Sequence, residues 1–155
     1  VSTAGWIALI VATVGAGLVA GLFFAFQTAV MPGLARTDDR TFVAAMQDMN
    51  VAILNPVFLT VFTAPLIAFV VAAVTGPSRV WVIAAGVLYL AMFVITVAGN
   101  IPLNDALLAV GATQDAAALE TARQAFEGPW NRLHLIRTVA VVASFGCCLG
   151  AISVA

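Results

Sequence analysis

Lysine is absent from this chain, histidine and tyrosine each occur once, and only 8% of the 155 residues are charged. An ordinary soluble domain carries roughly 25% charged residues, so a water-facing globular surface is excluded. Six arginines against seven acids leave a net charge of −1, too little positive charge for a nucleic-acid footprint. Cysteine is nearly missing too. Cys147 and Cys148 are adjacent, and helical neighbours point about 100° apart, so a bridge between them is strained. With no histidine beside them in sequence they make a poor metal site; they read as small apolar fillers, and no metal or cofactor is expected.

What the chain has is hydrocarbon, with 63% hydrophobic residues. Residues 6–30, 57–74 and 80–98 and the final stretch 138–155 are each nearly free of charge and approach or exceed the ~20 residues that span a bilayer as a helix. Backbone groups in lipid must bond within their own segment, so these runs are helices. The first is too long for a signal peptide and is not flanked like one, and it reads as a permanent helix. The expectation is an all-α, integral membrane four-helix up-down-up-down bundle, one domain over residues 1–155, with short interfacial amphipathic helices.

The connections are unequal. "GPSR", Gly76 to Arg79, is a tight turn that makes its flanking helices antiparallel neighbours. Residues 31–50 and 100–137 fall on the opposite side and hold every acid and five of the six arginines. The positive-inside rule places these two loops in the cytoplasm of a multi-pass plasma-membrane protein. Within the first, Thr37 or Asp38 is an N-cap ahead of Phe42, Val43, Met46 and Met49 at helical spacing, an interfacial helix. The second reads as another such helix from Asn104 to Phe126, interrupted at "GATQD", with Glu120 and Arg123 paired and "EGPW" breaking the chain before the last span.

Up-down-up-down topology brings four helix ends to one face, and the polar residues there become neighbours: Gln27, Asn50, Asn55, Asn100, Asn104, Asp105, Trp130, Asn131, His134 and Arg137. Trp130, His134, Arg137 and Val141 follow one face of the last helix, with Arg132 elsewhere. Asn100 and Asn104 share a face if the third helix continues past Pro102. These residue types suit a pocket for a small aromatic or enolic molecule. His134 is the natural general base, and Asp105 orients it or acts as base itself. Arg137 holds an enolate or phenolate oxygen, Trp130 stacks on a ring, and the amides give directional hydrogen bonds. The competing reading is that interfacial Trp and Arg anchor helices and buried amides join them. "GAGLVAG" places Gly17 and Gly21 at GxxxG spacing beside Ala16 and Ala20, a close-packing face within or between chains.

"VMPGL", "NVAILNP", "GNIPLNDAL" and "FEGPWNRLHLIRT" together resemble, in that order, the anthrone oxygenase family of small four-helix membrane proteins. The resemblance implies oxidation of a polycyclic anthrone to an anthraquinone by dioxygen without a known cofactor. It points to Asn100, Pro102, Asn104 and Asp105 and to Trp130, Asn131, His134, Arg137 and Thr138; where many relatives carry a second aromatic, this chain has Arg132 and Leu133. The implied partners are the bilayer, a lipophilic small molecule and dioxygen, and no nucleic acid. The alternative is a non-enzymatic small subunit or lipophilic-ligand binder, as a homo-oligomer or in a larger membrane complex.

Overall fold

The computed structural model describes residues 1–155 as helices joined by short connections. Four helices are long and apolar enough to cross a membrane: α1 Thr3–Leu34, α3 Pro56–Thr75, α4 Arg79–Ala109 and α5 Ala116–Ser153. A shorter helix, α2 Asp39–Ala52, lies between the first two. Each long helix packs on the next in sequence, and α5 closes the ring on α1. This is the antiparallel four-helix bundle read from the sequence, and its long apolar helices make it a multi-pass membrane protein.

Side chains cut off from solvent within the membrane layer combine small residues such as Ala12, Ala16, Ala85 and Cys148 with larger ones such as Leu9, Tyr89 and Met92. Outward-facing Ile7, Val14, Ile67, Val74, Val87, Ile136 and Val139 form the lipid-facing surface, which no water-soluble bundle tolerates at this extent. Two buried hydroxyls bond across helices: Tyr89 donates to the Phe62 carbonyl at 3.0 Å and Ser144 to that of Ala85 at 2.8 Å. Both cysteines are free, and Cys148 is fully buried.

The helices differ in length, and that difference leaves one end of the bundle extended beyond the membrane layer. With 20 residues at ~1.5 Å each, α3 spans about 30 Å, the thickness of the hydrocarbon layer. With 38 residues, α5 reaches about 57 Å and projects well beyond it. The projecting parts of α1, α4 and α5 hold α2 through a second, separate core that includes Met31, Phe42, Met46, Leu107, Phe126 and Trp130. Asp38 caps α2, accepting from Thr41 N at 3.0 Å, and its expected apolar face is the buried one.

Several boundaries differ from the sequence reading. The stretch from Asn104 to Phe126 is not an interfacial helix; its halves prolong α4 and α5, and they part at residues 110–115, where Gly111 takes a left-handed φ of 66°. "EGPW" does not break the chain. Pro129 sits inside α5, where burial of Phe126 and Trp130 on either side of it outweighs the lost hydrogen bond. Arg123 bonds Glu127 at 2.8 Å and Asp39 at 3.0 Å, while Glu120 takes Gln124. Gly17 meets the Phe145 ring, but nothing approaches Gly21; the closest glycine seams are Gly15 on Pro65 and Gly5 on the backbone of Thr75.

Two π-helical segments, Phe26–Val30 in α1 and Thr96–Asn100 in α4, lie at the same end of the bundle. Pro32 and Pro102 follow them two residues later. A proline removes one N–H and crowds the preceding turn, and an inserted π turn lets the helix continue past it. α4 therefore runs on through Pro102, which the shared face of Asn100 and Asn104 required.

Candidate functional site

Between the two cores lies a layer of polar side chains centred on α5. Trp130, His134 and Arg137 are all at least nine-tenths buried, at 3%, 1% and 7% exposure. Arg137 Nε donates to His134 Nδ1 at 3.1 Å, so that nitrogen is a bare acceptor and the ring proton is on Nε2. Nε2 in turn donates to the Phe23 carbonyl at 3.0 Å. The Trp130 ring stacks on the imidazole with centroids 4.7 Å apart, and Trp130 Nε1 donates to Asn104 Oδ1 at 2.9 Å. Asn100 Nδ2 reaches the Trp130 carbonyl at 3.5 Å.

Arg137 is the unusual member. Both ion pairs in the molecule belong to Arg123, and Arg137 has no carboxylate partner. Its remaining contacts are Thr96 Oγ1 at 3.3 Å and the faces of Phe23 and Trp130, 4.4 and 5.1 Å from the guanidinium carbon. Most of its N–H donors are left without a protein acceptor. A buried cation is costly unless paired, and Arg137 has no counter-ion in the protein.

That guanidinium faces a cavity of about 230 Å³ lined largely by apolar side chains, with Asn50, Asn104, Asp105, Trp130, His134 and Arg137 among its walls. Phe23, Phe26, Phe58 and Phe62 supply aromatic surface, and the tail of α2, from Met49 to Leu54, covers one side. A larger cleft of about 570 Å³ between the outer ends of α4 and α5 is almost wholly apolar and contains none of the polar cluster.

The sequence-predicted residues separate into two groups. Asn50, Asn104, Asp105, Trp130, His134 and Arg137 share the cavity. Gln27, Asn55, Asn100 and Asn131 do not line it. Asn55 caps α3, accepting from Phe58 N at 3.0 Å and donating to Ala52 O at 3.0 Å. Asn100 buttresses Trp130 from behind, and Asn131 points away from the buried face. Gln27 Oε1, Asn50 Nδ2 and Asn100 Oδ1 are buried without a partner. Asp105 is exposed at the cavity wall and does not orient His134, whose two nitrogens are both engaged elsewhere.

Thr96 and the apolar residues around Asn50, namely Met49, Val51, Ile53 and Leu54, were not among the predicted residues. Thr96 precedes Asn100 by four residues and Asn104 by eight, so its helical face was readable; the apolar neighbours of Asn50 carry no chemical signal in sequence. No three His, Cys, Asp or Glu side chains gather as a metal-binding group.

A family model described as anthrone oxygenase matches residues 42–147, from α2 to the last turns of α5, which includes every polar cavity residue above. No curated protein and no solved structure matches the chain. Matched over more than half its length, the chain belongs to the anthrone oxygenase family.

Proposed function

We propose that this protein is a membrane-embedded oxygenase that binds a lipophilic, enolisable aromatic substrate of the anthrone type and oxidises it with dioxygen. The observation that carries the reading is Arg137, a buried cation without a counter-ion facing an aromatic-lined cavity. Such a group stabilises the oxyanion that forms when a ketone tautomerises and loses its proton.

In this reading the roles follow the hydrogen bonds. His134 is the acceptor that fixes Arg137, since its one free lone pair already receives Nε. The base is Asp105, a carboxylate on the cavity wall with no hydrogen-bond partner of its own. A carboxylate base opposite an oxyanion site is a workable pairing for C–H abstraction. Trp130, held by Asn104, sets the plane of the bound ring.

Asp105 takes one methylene proton, and the carbanion's charge spreads to the oxygen at Arg137. The electron-rich enolate passes one electron to dioxygen, and the radical pair closes to a carbon-bound peroxide. Protonation, loss of the second methylene hydrogen and departure of water leave the quinone. One atom of dioxygen stays in the product and the other leaves as water. The five arginines at the projecting end, against Arg79 at the other, favour a cytoplasmic position for that end in the plasma membrane.

The test is oxygen uptake with quinone formation by the purified protein in nanodiscs supplied with an anthrone, beside Arg137→Met. The expected result is uptake above the spontaneous rate, reduced about 10²–10³-fold in the variant, the size seen when an oxyanion donor is removed. Uptake at the spontaneous rate in both would sink the oxygenase reading and leave a ligand-binding or complex-associated membrane protein.

A further inference from the structure

The cavity is small. Its volume of about 230 Å³ falls below the roughly 300–1,000 Å³ of pockets that enclose drug-sized ligands. It does not stand alone, however. A groove of about 270 Å³ runs between α1 and α3 on the outside of the bundle, and Leu22 and Phe58 line both spaces. Beyond those two side chains its walls are Leu18, Val19, Val57 and Val61, with Asn55 where α3 begins. Leu18 and Val57 are 56% and 74% exposed, on the surface that faces lipid.

The chemistry changes along this path. At the inner end are the unpaired guanidinium and the stacked rings of Trp130 and His134. At the outer end is hydrocarbon, open laterally to the acyl layer. The geometry points to an amphiphilic ligand: a phenolic or enolic aromatic head at Arg137, bearing one hydrocarbon tail that passes between Leu22 and Phe58 into the groove between α1 and α3. A phospholipid does not fit this division, since its bulky headgroup would have to enter an aromatic cavity of this size. The inference rests on the reading of Arg137 as an oxyanion receptor and specifies what else its ligand carries.

Lipid tails are as apolar as the groove, so the tail gains little by leaving the bilayer. What the portal provides is tolerance: a closed cavity would reject a long chain, whereas this one accepts it. The portal also lets a membrane-dissolved substrate arrive without crossing water.

The probe is 4-octylphenol with a photoreactive diazirine at the chain end, cross-linked to the protein in nanodiscs and located by peptide mass spectrometry. Labels are expected on Leu18, Val57 or Val61. Excess short-chain phenol, or Arg137→Met, should lower them about tenfold, the weight of one hydrogen bond to a charged group. Labels on Ile67 or Val70, further along α3 on the lipid face, should not change. Leu18→Trp, on a side chain that touches only the groove, should remove the groove labels while short-chain phenol still binds by titration calorimetry. Leu22→Trp, which narrows the opening, provides a second obstruction to the tail.

Labels spread evenly over the lipid face, or groove labels indifferent to competitor and to Arg137→Met, overturn the proposal. So does undiminished labelling of Val57 and Val61 in both tryptophan variants. The readout needs no turnover. Oxygen uptake on a compact anthrone without groove labelling removes the tail portal alone, and groove labelling without uptake removes the oxygenase reading alone.

Discussion

Arg137 donates its Nε hydrogen to Nδ1 of His134 at 3.1 Å, one helical turn away on α5. The pair therefore acts as one unit: the imidazole, pinned by the Phe23 carbonyl, aims the guanidinium at the cavity. Two residues that look independent in sequence share a single job in the fold.

That coupling is measurable. Short-chain phenol affinity should weaken in His134→Ala and in Arg137→Lys, and the double variant should lose less than the sum. Groups in one network differ from additivity by about 0.5–3 kcal/mol. Strict additivity in the double-mutant cycle would show that His134 does not position Arg137.

Asp105→Asn separates base from binding. The amide keeps the shape of the carboxyl but takes no proton, so quinone formation should fall about 10²–10⁴-fold, the usual contribution of a general base. Phenol affinity should hold. A variant that turns over normally would pass the role of base to another group.

Two glycines six residues apart on α1, Gly15 and Gly21, should respond differently to alanine. At Gly15 a Cβ would sit 2.4 Å from Pro65 Cγ and 3.3 Å from Val61 O. The rigid ring cannot yield, and overpacking of this kind costs about 1–3 kcal/mol. At Gly21 nothing lies within 4 Å, and Gly21→Ala should be neutral or stabilising by up to ~1 kcal/mol through helix propensity. Thermal unfolding in one detergent compares them; equal shifts would contradict the packing.

Asp38 lies in the connection before α2, and hydrogen bonds from the backbone and side chain of Thr41 hold its carboxyl below the ordinary value of 3.8. A carboxyl lowered by folding contributes stability that is fully present above its unfolded value and is lost as pH falls through the folded one. Amide-exchange protection in the first turn of α2 should therefore decline below about pH 4. Asp38→Asn, which caps without titrating, should abolish that decline; an unchanged profile would mean that the cap charge contributes nothing.

The membrane bundle was legible because its signal is collective. Lipid requires a run of some twenty apolar residues to be helical whatever their order, and four such runs with one tight turn fix an antiparallel ring. The amphipathic α2 and its cap were legible through local spacing and Asp38. Helix ends were not: "EGPW" and "GNIPLN" carry the usual signs of a break, but α4 and α5 absorb Pro102 and Pro129. The burial of Leu107, Phe126 and Trp130 in a second core supplies long-range contacts that local sequence does not contain.

For the site, helical periodicity was enough to show which face is polar and that Trp130, His134, Arg137 and Val141 share one surface. Which polar residues meet across helices depended on how the helices pack. Asn55 was claimed locally, by the N–H of Phe58 three residues on, but Asn100 was claimed by the Trp130 backbone of another helix, and Asp105 was left open on the cavity wall. A short polar side chain takes whatever partner the fold brings within hydrogen-bond reach. Whether an amide caps a helix, braces a ring or faces a ligand therefore depends on distances of a few tenths of a nanometre, which are set by packing between helices far apart in the chain.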